Sequence, residues 1–145
     1  MQWLFLAVAA GAGVLMAIQG SMNGAMAKIT GVLEGNFILH AIGLTLIVVL
    51  LFVCGLGRGD LRAMTQAPWY LYLPGVINVA IIYGVMLAIS RTGAGAATTA
   101  IIVGQLTMAL VVDQFGLFGL EKVPMTWGRG AGLVLMGVAA KLLLG

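Results

Sequence analysis

Arg91–Leu120 reads RTGAGAATTAIIVGQLTMALVVDQFGLFGL, and the fold turns on how this stretch is understood. It opens at a charged, glycine-containing corner. It then runs through apolar residues broken only by Thr98, Thr99, Gln105 and Thr107, and closes on Asp113, Gln114, Gly116 and Gly119. A run of this length crosses a bilayer as a helix, because about 20 residues rising about 1.5 Å each span a hydrocarbon core of about 30 Å. Gln105 lies near mid-depth, about 21 Å along from Arg91. Its amide must meet protein, water or substrate, since an unsatisfied polar group in hydrocarbon costs several kcal/mol. Ala96, Ala100 and Gly104 recur at every fourth position and offer a flat strip to a neighbouring backbone, so this helix is expected to lie inside a bundle.

Four more apolar runs flank it. The first helix is predicted over 3–28, from an interfacial Trp3 to a snorkelling Lys28, with Gln19 and Asn23 on one face and Gly20 and Gly24 on the adjoining one. The second is predicted over 35–54, with Asn36 and His40 at helical spacing near its start and almost pure Leu, Ile, Val and Phe beyond. Gly55–Pro68, with Arg58, Asp60 and Arg62 among glycines, reads as a surface loop whose charges meet solvent or lipid phosphates. The third helix, 69–90, opens on the aromatic belt of Trp69, Tyr70 and Tyr72, tolerates Pro74 in its first turns, and carries Asn78 and Tyr83. The fourth occupies 92–115 and the fifth 125–144, giving an all-α, five-span integral membrane domain over 1–145.

Composition agrees with that reading. Hydrophobic residues make up 62% of the 145-residue chain and charged residues only 8%, with a mean hydropathy of +1.15. Soluble domains carry about 25% charged residues. The net charge of +3 is spread along the chain, with no clustered basic face of the kind that binds nucleic acid. Ala25-Met26-Ala27 mimics a signal-peptide cleavage site. The preceding run, however, has no leading cation and contains Gln19 and Asn23, so it is read as a transmembrane helix. Cys54 is a lone thiol without neighbours at ligand spacing, and neither a metal nor a cofactor is expected. Nucleotide motifs, paired carboxylates and a nucleophile with its base are lacking, which argues against an enzyme.

Several of these residues carry a resemblance. Arg91 and Gly93, then Gly104-Gln105-Leu106, then Asp113-Gln114-Phe115-Gly116, followed by Lys122, Pro124, Arg129 and Gly132, resemble the small five-helix membrane proteins of the YdcZ type, in the drug/metabolite transporter (DMT) superfamily. Gln19, Gly20, Asn23 and Gly24 fit the same pattern. The resemblance implies a multi-pass protein of the prokaryotic inner membrane, equivalent to half of an inverted-repeat transporter fold. It also implies two such units paired in inverted arrangement but names no substrate; the leading expectation is a secondary transporter, an exporter of a small metabolite or drug-like molecule that works by alternating access as an antiparallel homodimer. A five-helix unit has little room for a central pathway, whereas two related by a pseudo-two-fold place a site at the midplane.

Cation counts bear on orientation. An odd number of spans puts Arg58, Arg62, Lys122 and Arg129 on one side against Lys28, Arg91 and Lys141 on the other, a four-to-three split compatible with dual topology. Intramembrane polar residues are site candidates by default, although packed bundles also use amides to join helices. The candidate substrate pathway comprises Gln19, Asn23, His40, Asn78, Tyr83 and Gln105. Histidine ordinarily titrates near physiological pH, at about 6.5, so His40 is either a proton carrier or a neutral, hydrogen-bonded side chain. Asp113, opposing its helix dipole, is either a gate at the cavity mouth or a structural partner of Arg129 or Lys122. The rival to a transporter is a non-transporting membrane subunit. Convergence of the polar residues on one cavity favours the former, and their scattering among helix contacts the latter.

Overall fold

The computed structural model describes residues 2–145, and the regular structure among them is entirely helical. Five of these helices are long and apolar enough to cross a membrane: Trp3–Thr30, Val32–Val53, Trp69–Thr92, Ala94–Phe115 and Trp127–Leu144. Large apolar side chains such as Leu4, Phe5, Leu44, Ile47, Leu142 and Leu143 are exposed on the chain, as they must be where hydrocarbon rather than water is the solvent. Contacts divide the protein into two compact units, one ending at Arg91 and the other comprising Thr92–Gly145.

The first unit contains α1 (Gln2–Thr30), α2 (Val32–Val48) and α3 (Leu73–Thr92). The corner between α1 and α2 is tighter than the polar residues from Lys28 to Glu34 suggest, because Gly31 alone breaks the helix. Its φ of +99° is open to glycine and strained for any side chain. Thr30 Oγ1 donates to the Met26 carbonyl at 3.1 Å, which holds the last turn of α1 to the corner. A Cβ on Gly31 would collide with the Glu34 carboxylate, which is folded back over the start of α2. An acid there complements the positive end of the helix dipole.

Beyond Val48 the helix widens into a π turn, Val49–Val53, in which Cys54 N–H donates to the Val49 carbonyl at 2.9 Å. The loop that follows is ordered by local bonds. Asp60 accepts from the Arg62 amide at 2.8 Å to cap a 3-10 turn over Leu61–Gln66, and the Tyr72 hydroxyl donates to the Met64 carbonyl. Trp69 and Tyr70 meet edge to face at 6.3 Å in a second 3-10 turn, Trp69–Tyr72, that leads into α3.

Small residues bring these three helices together. A Cβ on Gly24 would meet Ile89 Cβ at 2.9 Å, and one on Gly35 would meet Met86 Cε at 2.6 Å. α1 and α2 therefore approach α3 at positions where only glycine leaves room. Met86 is fully buried at this junction, with Ala27, Asn23, Asn36 and Ile89 also buried.

The second unit contains α4 (Ala94–Phe115), a 3-10 turn at Leu117–Gly119 and α5 (Trp127–Leu144). The corner is tied by its backbone, with Val123 N–H donating to the Asp113 carbonyl at 2.9 Å and Met125 N–H to Gln114 Oε1 at 2.5 Å. α5 begins at Trp127 rather than Met125 because Thr126 is extended (φ −108°) and caps the helix, accepting from Arg129 N–H at 3.3 Å. Within this unit the buried residues are Ala97 and Ala140. A Cβ on Gly104 would meet nothing within 4 Å, so the Ala96–Ala100–Gly104 strip is one position out of phase with the face that α4 buries here.

Candidate functional site

Asn36 lies in the second turn of α2 and is 1% exposed. Burying an amide in an apolar span requires partners. Its Nδ2 reaches across to α3 and donates to the Val79 backbone carbonyl at 2.9 Å, while its Oδ1 is buried without a hydrogen-bond partner. One turn further along α2, the His40 ring folds back on its own helix, with Nδ1 2.9 Å from the Asn36 carbonyl oxygen. The other ring nitrogen, Nε2, is 3.1 Å from Asn78 Nδ2 on α3. Asn78 and Val79 are adjacent, so the four groups form a closed polar ring between two helices: Val79 to Asn36, Asn36 to His40, His40 to Asn78.

Helical spacing explains half of this ring. Asn36 and His40 share a face because they are one turn apart. Which face of α2 meets α3 is decided by Gly35, against which the Met86 side chain packs. The tautomer follows from the geometry. A carbonyl oxygen can only accept, so His40 Nδ1 carries the hydrogen and Nε2 presents its lone pair to the Asn78 amide. With the hydrogen so placed, every link of the ring joins an uncharged donor to an uncharged acceptor.

Beside the ring is a cavity of about 620 Å³, lined by Leu33, Glu34, Asn36, Phe37, Ile38, His40 and Val79. Apolar walls with a few convergent polar groups are the usual make-up of a small-molecule site. A second cavity of about 450 Å³ lies in the other unit, between Ala100 and Val103 on α4 and Gly137, Ala140, Lys141 and Leu144 on α5.

Of the residues singled out in the sequence, His40 and Asn78 are in direct contact. Asn23 is buried at 8% exposure in the same unit, with its Nδ2 unpartnered. Gln19 and Tyr83 are exposed and outside the ring, and Gln105 is exposed on α4. Asp113 Oδ2 and Arg129 Nη1 pair at 3.2 Å with both side chains more than a third exposed, a contact of about 0.2–1 kcal/mol. Lys122 does not share this pair: its aliphatic stem lies against Gly116. Two members of the ring were not among the candidates. Asn36 could have been found from its spacing to His40, whereas the Val79 carbonyl has no side-chain signature at all.

Residues 3–142 match the model of the family described as "Putative inner membrane exporter, YdcZ". No curated protein and no solved structure matches the chain.

Proposed function

This chain belongs to the YdcZ family of the DMT superfamily, which is described as one of inner-membrane exporters, and from that premise we propose that it exports a small polar or amphipathic metabolite by alternating access as an antiparallel homodimer. One observation carries the reading: a polar ring of Asn36, His40 and Asn78 beside a cavity of about 620 Å³ within membrane-spanning helices. Polar groups in spans are expensive and collect where a substrate or water must be met. A lining of Leu33, Phe37, Ile38 and Val79 with the polar side chains of Glu34, Asn36 and His40 suits a molecule that is itself part apolar and part hydrogen-bonding.

The near-balanced cations and the size of the unit support the antiparallel dimer, in which two oppositely inserted copies recreate an inverted repeat. Gln19, Asn23, Tyr83 and Gln105 join His40 and Asn78 as the proposed pathway, with Asp113 and Arg129 holding the corner of α4.

The test begins with a thermal-shift screen of purified protein against metabolites and drug-like compounds, followed by efflux of the best ligand from vesicles. Ligand-dependent stabilisation lost in His40→Ala, together with efflux lost in the same variant, is the expected result. Added lysines that bias one end should silence the protein alone and restore it when oppositely biased copies are co-expressed. Full activity of a strongly biased version alone overturns the dimer. The rival reading, a non-transporting membrane subunit, draws on the exposed Gln19 and Tyr83, which another chain could cover. Absence of any flux together with a co-purifying partner would favour it.

A further inference from the structure

Every link of the polar ring has a direction, and one proton sets the last of them. Val79 accepts from Asn36 Nδ2, the Asn36 carbonyl accepts from His40 Nδ1, and His40 Nε2 accepts from Asn78 Nδ2. An imidazolium has a hydrogen on both ring nitrogens. A hydrogen arriving at Nε2 would point at the Asn78 amide nitrogen, donor against donor. Asn36 cannot answer that change, because it is 1% exposed and its Nδ2 is committed to Val79. Asn78 can: its side chain is exposed, and half a turn of the amide brings Oδ1 to Nε2–H.

We propose that His40, which lines the α2–α3 cavity, and Asn78, exposed next to Val79 on α3, form a proton-read switch. Neutral His40 holds the amide nitrogen of Asn78 and leaves the amide oxygen facing outward. Proton uptake from water puts a hydrogen on Nε2, reverses the amide, and leaves the NH₂ group outward beside a new positive charge. The group that Asn78 offers thus changes from acceptor to donor without any movement of the helices. A ligand that donates hydrogen bonds suits the first state and is disfavoured by the second.

The charged and titratable groups on the packed elements are Glu34 on α2, Lys28 on α1, and Tyr83 and Arg91 on α3. Glu34 lines the same cavity, and none of the four bonds to the ring. Regulation of export by this switch rests on the exporter reading. The switch itself does not.

His40 is the sole histidine of the chain, so nitrogen-labelled histidine in the full-length protein, reconstituted in lipid nanodiscs, yields a single imidazole spectrum. Labelled asparagine side chains are followed in parallel. At the alkaline end of a pH series the ring should carry its hydrogen on Nδ1 and have a bare Nε2; on acidification Nε2 should gain a proton and the Asn78 amide signals should move with the same midpoint. The opposite neutral tautomer, an imidazole that stays neutral to the acid limit, or an Asn78 amide indifferent to Nε2 protonation would each overturn the switch. In Asn78→Leu the bare Nε2 signal should shift while Nδ1–H is retained, and an unchanged Nε2 would show that Asn78 is not its donor. Should that variant not fold, the wild-type pH series decides alone. No substrate enters these measurements, so a negative result leaves export standing, and failed transport beside a positive result leaves the switch standing.

Discussion

The ring between α2 and α3 and the Asp113–Arg129 pair at the end of α4 solve one problem in two ways. Both join neighbouring helices through polar side chains. The ring, with Asn36 fully buried, is built from amides, an imidazole and backbone carbonyls, all neutral. The pair uses full charges at 3.2 Å, with its side chains 36% and 39% exposed. Desolvation accounts for the difference. A carboxylate or guanidinium held in hydrocarbon loses more hydration than one partner returns, whereas a neutral amide needs only its hydrogen bonds. At a helix end, where headgroups and water remain, the charge can be kept, and the link is correspondingly weak.

Asn36→Asp should break this contrast most severely. It puts a charge-capable group where only a neutral donor fits, and replaces the hydrogen bond to Val79 with a clash of acceptors. The expected loss is about 3 kcal/mol, or failure to fold, measured by denaturant titration in mixed micelles. A stable Asn36→Asp protein would mean that water reaches this position.

His40→Ala removes two links of the ring but leaves Asn36 on Val79. It should cost about 1–2 kcal/mol of stability, while efflux falls about tenfold or more. Equal losses in stability and transport would reduce His40 to helix glue. Gln105→Ala should leave a folded protein with a few-fold loss of transport, because its amide is exposed on α4 and its removal costs no partner within that unit. Unchanged transport, or a collapse in folding, would remove Gln105 from the pathway.

Asp113→Asn should have the smallest effect, lowering stability by about 0.5–1 kcal/mol, and a double-mutant cycle with Arg129→Ala should recover most of that as coupling. Salt sharpens the comparison: about 1 M salt should erase the coupling at the rim and leave the stability difference of His40→Ala unchanged. A ring that proved as salt-sensitive as the pair would be held by charges rather than by neutral hydrogen bonds.

Much of this was legible along the chain, and what was legible was local. Five apolar runs of bilayer length sufficed for the membrane class and the spans, because hydrocarbon forces each segment to satisfy its own backbone in a helix. Spacing placed Asn36 with His40 on one face of α2, and depth marked Gln105 as needing a partner. The tightness of the α1–α2 corner was harder to read. Gly31 is one glycine among 22 in the chain, and its φ of +99°, positive as at five other glycines, belongs to the folded backbone and not to the residue type.

What only the tertiary structure decided is which faces meet. Asn36 binds a backbone carbonyl, a group every residue owns and no sequence marks, and it reaches Val79 because Gly35 lets α2 seat against Met86. His40 takes its tautomer from an oxygen four residues back and its second partner from α3. Arg129, not Lys122, pairs with Asp113, because Thr126 sets where α5 begins while the Lys122 stem packs on Gly116. Chain order states which polar groups need a partner, and packing alone assigns one, because the assignment depends on the rotation of each helix about its axis, a quantity settled by a few close contacts between residues far apart in sequence.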